Sequence, residues 1–176
     1  MKIIAIGGEP AVGKTTLIND FFLKIDWWEE FKFKKVYGHY NKKINTIIVG
    51  KYGTNTIFAG TDKLSMSVHP DFKQFVNLNK KFNILFEGDR LFSKSILEFC
   101  DEKNILHTII LESNFTEKRH FERKDNQSQK FLKGRKTKIQ NIKKLNLKKN
   151  IKIFENNNLT QKNTIYDYIF ELLTKK

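Results

Sequence analysis

The chain has 176 residues, of which 39% are hydrophobic and 13% aromatic, so it is long enough to form one domain with a sizeable core. Its two prolines and nine glycines argue against a fibrous or disordered chain, and its single cysteine excludes an internal disulfide. The formal net charge of +14 indicates a polyanionic partner or a multiply phosphorylated ligand.

The sequence lacks the signals of export and of membrane insertion. No apolar run approaches the roughly 20 residues that span a bilayer, and the apolar stretch at the start is too short for a signal peptide. Cys100 lies in a helical pattern, which favours a small buried residue over a reactive thiol. We therefore expect a cytoplasmic protein without a membrane partner or a disulfide-linked partner, and the oligomeric state is left open.

The first predicted elements are a strand and a helix. Residues 2–6 form an uninterrupted apolar run, typical of a strand that is buried on both faces of a parallel sheet. Residues 15–24 carry apolar side chains at helical spacing. Residues 26–35 contain Trp27, Trp28 and Phe31, which fit a helix cap, the lining of a cleft or, preferably, the core.

The middle of the chain predicts a hairpin followed by alternating elements. Residues 44–52 and 56–60 are joined by three turn residues and predict a β-hairpin. A helix is expected over 71–81, after a proline, and a second buried strand over 82–89. Residues 93–104 again show helical spacing.

The last part of the chain repeats this alternation. Residues 105–113 predict a third buried strand, and 116–145 show helical spacing in parts, with Gly134 as a break. A final strand is expected over 151–157 and an amphipathic helix over 165–173.

Strands that alternate with helices predict an α/β fold. We expect a single domain over residues 1–176, with a parallel sheet of about five strands between two layers of helices. The hairpin is expected as an insertion, and a lid-like basic segment covers about residues 116–149. Ligands bind such sheets at the carboxyl ends of the strands, so functional residues are expected there.

A phosphate-binding motif lies between the first predicted strand and the first predicted helix. It matches G-x-x-x-x-G-K-[ST] in full, as Gly8, Glu9, Pro10, Ala11, Val12, Gly13, Lys14 and Thr15. The glycines allow a tight loop whose N–H groups point at phosphate oxygens, and the dipole of the following helix adds positive potential. We expect Lys14 to reach the β- and γ-phosphates and the Thr15 hydroxyl to hold Mg²⁺, with Thr16 in the same nucleoside-triphosphate site.

A second motif, with two carboxylates, follows a predicted buried strand. Glu87 and Asp89 are two residues apart, so in an extended chain they share a face near the end of the strand. Either carboxylate can hold Mg²⁺ or accept a proton from an attacking hydroxyl, and Asp89 is the expected metal ligand. Arg90 can clamp the transferring or the accepting phosphate. The alternative is a structural ion pair between Asp89 and Arg90.

Three of the four arginines lie in the basic segment, among many lysines. Arg119 and Arg123 are four residues apart on one helical face, with His120 beside them, and Arg135 follows Gly134, which we interpret as a hinge. A guanidinium grips phosphate in two places. The three arginines therefore predict a lid that closes on the γ-phosphate and excludes water. A solvated charged helix is the alternative.

Asp62 and Lys63, in the segment after the predicted hairpin, are expected to border the acceptor pocket. Asp62 is a rival to Glu87 as the general base, or it caps a turn. The four histidines show no spacing of zinc ligands, and no Ser-His-Asp or Cys-His arrangement occurs in the sequence.

The positive charge is concentrated late in the chain. Residues 117–152 contain 14 lysines or arginines and three acidic residues, a net charge of +11, whereas the rest of the chain adds only +3. A polynucleotide would engage several of these cations at once, and its binding would weaken with salt. A codon usage that favours Lys, Asn, Ile and Phe explains the same excess.

The phosphate-binding motif, the strand-end Asp-Arg and the late Arg-rich segment together resemble the nucleoside and nucleotide kinases, especially the thymidylate kinase group. The resemblance implies that Asp-Arg handles magnesium and the acceptor, and that the Arg-rich segment is a lid over ATP. Residues 50–66, 86–92 and 122–139 also resemble small phage-encoded P-loop kinases. Among these are DNA kinases that phosphorylate 5-hydroxymethyluracil. Leu91 departs from the usual Tyr of soluble thymidylate kinases, and the predicted hairpin replaces helices.

The motifs and the resemblance predict a three-layer P-loop NTPase fold of the nucleoside and nucleotide kinase type. The expected activity is an ATP- and Mg²⁺-dependent phosphotransfer to the hydroxymethyl group of 5-hydroxymethyluracil in phage DNA, by a phage-encoded protein in the host cytoplasm. The alternative is a kinase of deoxynucleoside monophosphates. More distant alternatives are a nucleotide switch or motor and a binding module without chemistry.

Overall fold

The computed structural model describes residues 1–52, 59–125 and 127–175. These residues form an α/β fold around one seven-stranded sheet. The strands are β1 (Ile3–Gly8), β2 (Trp28–Phe33), β3 (Val36–Asn41), β4 (Thr46–Val49), β5 (Asn83–Glu87), β6 (Leu106–Glu112) and β7 (Lys152–Glu155). The α-helices are α1 (Lys14–Lys24), α2 (His69–Leu78), α3 (Lys94–Glu102), α4 (Thr116–Glu122), α5 (Gln129–Lys143) and α6 (Leu159–Thr174), and a 3-10 helix spans Thr61–Lys63.

The sheet has the strand order β2-β3-β4-β5-β1-β6-β7. The five strands from β4 to β7 in this order run parallel, and β2 and β3 add an antiparallel hairpin at one edge. β1 is inside the sheet, where Ile3 lies opposite Ile84 of β5 and Leu106 of β6. The predicted mostly parallel α/β sheet is confirmed, and the hairpin extends it to seven strands.

The side chains of β1 show how the layers form. Ile3 and Ala5 face a core that is shared with α2, α3 and α5, whereas Ile4 and Ile6 face a second core that is shared with α1 and α6. All four side chains are fully buried, as expected of an uninterrupted apolar strand covered on both faces. The arrangement is compatible with the predicted three-layer fold.

The sheet contains a hairpin, β2 and β3, that was not predicted and that precedes the predicted one. β2 falls within residues 26–35, so this segment is a strand rather than a helix cap, and β3 pairs with it. β4 falls within residues 44–52 but joins the sheet between β3 and β5, so it is not part of an insertion. Residues 53–58, which carry the predicted turn and most of the second strand, lie outside the described residues. Gly60 forms an isolated antiparallel bridge with Lys51.

The two adjacent tryptophans have different environments. Trp27 is 85% exposed, so the preferred expectation of a core residue is wrong for this side chain. Trp28 donates its indole N–H to the Ile25 carbonyl oxygen at 2.7 Å and packs edge-on against Phe22. Trp27 precedes β2 and has a φ angle of 68°, so the chain turns there and only Trp28 follows the strand.

Gly134 is neither a break nor a hinge, because α5 runs through it from Gln129 to Lys143. A Cβ at Gly134 would meet no atom within 4 Å, so the residue lies on the open side of the helix. Its helix-weakening effect, about 1 kcal/mol relative to alanine, is opposed by burial of Ile139 and Ile142 in the core. The helical segment is interrupted earlier, between α4 and α5.

Cys100 is a buried free thiol on α3. Burial raises the pKa of Cys100 to about 12, which keeps the thiol protonated and unreactive. The structure thus confirms the prediction that Cys100 is buried. In the described part of the chain, every helix is too short or too polar to cross a membrane.

Candidate active site

The first part of the site runs from the last two residues of β1 to the start of α1, residues 7–13, and is here called the glycine-rich loop. Gly8 and Gly13 have φ angles of 145° and 92°, which side chains rarely allow. A Cβ on Gly8 would lie 2.5 Å from the Leu111 carbonyl oxygen, and one on Gly13 would lie 2.5 Å from Nδ2 of Asn156. The tight path of the loop therefore requires glycine at both positions.

Lys14 begins α1 and closes the loop on itself. Its Nζ donates to the carbonyl oxygens of Gly8 at 3.0 Å and Glu9 at 2.8 Å. Burial lowers the pKa of Lys14, while nearby carboxylates, first of all Glu87, raise it. No side chain of the described residues caps the start of α1. The amides of its first turn and the helix dipole therefore present positive potential to a ligand.

Two side chains hold the glycine-rich loop from outside it. Asn156, which follows β7, donates to the Val12 carbonyl oxygen at 2.8 Å. Arg119 donates to the carbonyl oxygens of Ala11 at 3.2 Å and of Asn156 at 2.8 Å. Arg119, predicted to close on a γ-phosphate, thus braces the loop in this structure. Sequence reasoning missed Asn156, although its place at the carboxyl end of a strand is a usable signal.

Glu87 ends β5 and contacts α1. The Thr15 hydroxyl donates to Glu87 Oε1 at 3.1 Å, and the Thr61 hydroxyl donates to the Glu87 carbonyl oxygen at 2.9 Å. Burial raises the pKa of Glu87 to about 7, although the charge of Lys14 lowers it. A Cβ on Gly60 would lie 2.2 Å from Glu87 Oε1, so this glycine makes room for the carboxylate.

Asp89 contacts α5. Its carboxylate accepts from Arg135 and from Lys138, whose Nζ lies 2.7 Å from Oδ1 and 2.8 Å from the Asp89 carbonyl oxygen. Burial raises the pKa of Asp89, but the hydrogen bonds from Lys138 and Arg135 outweigh it and hold the pKa below its ordinary value. The structure therefore pairs Asp89 with α5. The alternative from the sequence was an ion pair between Asp89 and Arg90. Sequence reasoning missed Lys138, although its spacing of three residues from Arg135 places both side chains on one face of a helix.

Arg90 and Asp62 connect the end of β5 to the 3-10 helix. The backbone N–H of Arg90 donates to Asp62 Oδ1 at 3.0 Å. The Arg90 guanidinium contacts the Met66 sulfur and lies 3.5 Å from the Asp62 carbonyl oxygen. Asp62 thus bonds to the turn after β5 rather than to the segment that follows it, and its side chain also borders the cavity.

A cavity of about 370 Å³ lies at the carboxyl ends of β1 and β5. The predicted site residues that line it are Gly8, Pro10, Ala11, Lys14, Thr15, Asp62, Glu87, Asp89, Arg90, Arg123 and Arg135. The lining from the described residues does not include Glu9, Val12, Gly13, Thr16, Lys63 or Arg119. Lys63 is exposed. Gly13, Thr16 and Arg119 line a neighbouring pocket of about 310 Å³, which Arg123 also borders.

Sequence reasoning missed the apolar part of the cavity. Phe92 is 2% exposed, and Met66, Phe131 and Ile139 come from other segments of the chain. The Arg135 guanidinium lies 4.6 Å from the centre of the Phe131 ring. The cavity therefore combines apolar walls with guanidinium groups and carboxylates, which can hold a phosphorylated ligand and take up a proton.

The basic segment is split between two parts of the molecule. α4 and α5 border the cavity through Arg123, Phe131 and Arg135. Further along, three lysines contact other parts of the chain: Lys143 pairs with Glu112, Lys148 donates to the Glu102 carbonyl oxygen, and Lys149 contacts His107. Only part of the predicted charge excess is therefore placed to act at the cavity.

Glu87 makes stability depend on pH in a definite direction. Its pKa is about 7 in the fold, against an ordinary value of 4.5. Between these values the folded state keeps a proton that the unfolded state releases, so the free energy of unfolding falls as the pH rises. Between pH 5 and pH 8 we expect the free energy of unfolding of the wild type to fall by on the order of 3 kcal/mol more than that of Glu87→Gln, as measured by urea unfolding.

The exposed Glu29 of β2 provides the matched control. The free energy of unfolding of Glu29→Gln should change between the two pH values by as much as that of the wild type. If Glu87→Gln also follows the wild type, then Glu87 titrates near its ordinary pKa and the buried site is more polar than the structure indicates.

Two comparisons with known proteins return no relative: no protein-family model matches the chain, and no curated protein matches its sequence. Function is therefore inferred from the chemistry of the cavity and from the resemblance of its motifs.

Proposed function

We propose that the protein is a P-loop kinase that transfers the γ-phosphate of ATP, in the presence of Mg²⁺, to a nucleic-acid-derived acceptor. The strongest support is the cavity, which brings the glycine-rich loop together with Glu87, Arg90, Arg123 and Arg135. The resemblance of the same motifs to nucleoside and nucleotide kinases supports the same reaction.

The glycine-rich loop and α1 supply the site for the donor. Their amides bind the β- and γ-phosphates, and Lys14 exchanges its bonds to the loop carbonyls for bonds to phosphate oxygens. The neighbouring pocket, lined in part by Thr16, Arg119 and Asn158, receives the nucleoside part of ATP. Arg123 borders both cavities and binds the γ-phosphoryl group between them.

The oxygens of Thr15 and Glu87 fit Mg²⁺. The two atoms lie 3.1 Å apart, and hydroxyl and carboxylate oxygens, with phosphate oxygens, are ligands that Mg²⁺ prefers. Held by these two residues, Mg²⁺ would neutralise charge on the phosphate oxygens of the donor. Asp89, the metal ligand predicted from the sequence, is held by Arg135 and Lys138, and we assign it to the acceptor side instead.

The transfer itself is an in-line displacement. The oxygen of the acceptor hydroxyl attacks the γ-phosphorus, the bond from this phosphorus to the bridging oxygen of the β-phosphate breaks, and ADP leaves. Asp62 lines the cavity, and only one of its two carboxylate oxygens accepts from the Arg90 backbone N–H. The other oxygen accepts the hydroxyl proton. Arg90 and Arg135 border only the larger cavity and bind the acceptor.

For the acceptor we propose the hydroxymethyl group of 5-hydroxymethyluracil in DNA, as in the phage-encoded DNA kinases that the sequence resembles. The exposed lysines around α4 and α5 support a polynucleotide, because several of them can contact phosphates together. These lysines are Lys124, Lys130, Lys133 and Lys136. Such DNA would be met in the cytoplasm of an infected cell.

A kinase of deoxynucleoside monophosphates is the second candidate. The size of the cavity favours it, because about 370 Å³ suits one small ligand. The intramolecular contacts of Lys143, Lys148 and Lys149 favour it as well, since these cations are partly occupied.

Incubation with γ-labelled ATP separates the candidates. We expect label in DNA that contains 5-hydroxymethyluracil and none in the same DNA with thymine, which lacks the accepting hydroxyl. Label in deoxynucleoside monophosphates alone would replace the first candidate by the second. Release of labelled phosphate with every acceptor present would indicate an NTPase rather than a kinase.

A further inference from the structure

We infer that the acceptor nucleotide enters the cavity unstacked from its neighbours, so that the protein acts on single-stranded or locally opened DNA. This inference rests on the proposed function and specifies the form in which that function meets its substrate.

The groups proposed to react lie in a recess. Lys14, Thr15 and Glu87 line a cavity of about 370 Å³, the volume of a cube about 7 Å on each side. The major groove of DNA is about 12 Å wide and admits a protruding helix, but a recess cannot enter a groove. A hydroxyl group on a stacked base would therefore stay outside, and the nucleotide has to leave the stack to reach these groups.

The size of the cavity limits what can enter. Its volume lies at the lower end of the range of small-molecule sites, about 300 to 1,000 Å³. A cavity of this volume suits one nucleotide rather than a base pair with the sugar-phosphate backbones of both strands. The walls include α5, which is anchored by the buried side chains of Ile139 and Ile142, so this side of the cavity is fixed.

The apolar lining provides faces for an unstacked base. Phe131 is 40% exposed beside the cavity and already packs on the guanidinium of Arg135. Phe92 and Met66 add further apolar surface from other segments. Aromatic side chains replace the stacking that a base loses when it leaves its strand, whatever the base sequence.

The polar lining adds charged groups beside these apolar faces. Arg90 and Arg135 line the cavity, and their guanidinium groups can donate hydrogen bonds. The pairing edge of a pyrimidine offers two acceptors, which are open to such donors only when the base is unpaired.

The test uses three DNAs that share one sequence with a single 5-hydroxymethyluracil. The first is single-stranded, the second is a duplex in which the target base pairs with adenine, and the third is the same duplex with an abasic site opposite the target. We expect the paired duplex to react at least about tenfold more slowly than the single strand, because its base must first be unpaired and unstacked. The abasic site should restore most of the rate.

Equal rates on the three DNAs would overturn this inference and leave the proposed function standing. No label in any of them would overturn the DNA acceptor, and this inference with it. The two failures are therefore distinguishable in one experiment.

A pair of phenylalanine variants provides a second measurement. Phe131→Leu should raise KM for the single-stranded DNA by about tenfold, because base–aromatic stacking is lost, and should leave the affinity for ATP unchanged. Phe121→Leu is the matched control, since Phe121 is 86% exposed on α4 and is not part of the cavity lining from the described residues. Equal KM values for both variants and the wild type would contradict a stacking role for Phe131.

Discussion

Replacing Lys14 by Met should reduce phosphoryl transfer by about a thousandfold. In the structure, Nζ of Lys14 donates to the carbonyl oxygens of Gly8 and Glu9, and both Lys14 and Gly8 line the cavity. A cation at this point stabilises negative charge that develops between the β- and γ-phosphates, and methionine keeps the length of the side chain without its charge. Single-turnover transfer from labelled ATP measures the loss directly.

Lys43→Met is the matched control for Lys14→Met, because Lys43 is exposed between β3 and β4 and is not part of the cavity lining from the described residues. It should keep activity within about twofold, since isolated surface charges contribute little. We expect the Lys14 variant to remain folded, because the buried charge that it removes is costly in the absence of a ligand. Transfer within tenfold of the wild type in folded Lys14→Met protein would contradict the assigned donor site.

Comparison of Glu87→Gln with Asp89→Asn should show which carboxylate holds Mg²⁺ and which one acts on the acceptor side. Glu87 accepts from the Thr15 hydroxyl, so we expect Glu87→Gln to lower kcat by about a hundredfold or more and to raise the Mg²⁺ concentration needed for half-maximal activity. Asp89 is bound to Arg135 and Lys138. Asp89→Asn should chiefly raise KM for the acceptor, because it releases Arg135 from its position beside the cavity.

Titration of both variants with Mg²⁺ at saturating ATP checks this division. If Asp89→Asn alone shifts the Mg²⁺ dependence, then Asp89 holds the metal, as the sequence suggested. Thermal unfolding of both variants is the control for stability, because Asp89→Asn leaves Lys138 and Arg135 without their counter-charge, at a cost of about 1 kcal/mol or more.

The parallel part of the fold was predictable because its signal is local. β1, β5 and β6 each contain an uninterrupted apolar run, at residues 3–6, 84–86 and 109–111, and that pattern is typical of strands covered on both faces. The hairpin was missed for equally local reasons. Phe31 and Phe33 alternate with charged residues, but the adjacent tryptophans obscured this period. Gly38 weakens the strand pattern of β3, yet a Cβ there would lie 2.4 Å from the Phe31 ring.

The candidate site was predictable where one motif contains its residues, as with Lys14 and Thr15 or with Glu87 and Arg90. The remaining contacts join residues that are distant in sequence. Asn156 reaches the glycine-rich loop only because β7 lies beside β6 in the sheet. Lys138 reaches Asp89 only because the core fixes α5 across the end of β5. Such tertiary contacts leave no periodic signal in a single sequence.

The central claim is that the amides of the glycine-rich loop and the start of α1 bind a triphosphate. Calorimetric titration with a non-hydrolysable ATP analogue and Mg²⁺ tests it most directly. We predict binding at one site in the wild-type protein, weakened at least tenfold by Lys14→Met and by removal of Mg²⁺. No detectable binding of either an ATP or a GTP analogue to the folded wild-type protein would contradict the claim, and the proposed phosphotransfer with it.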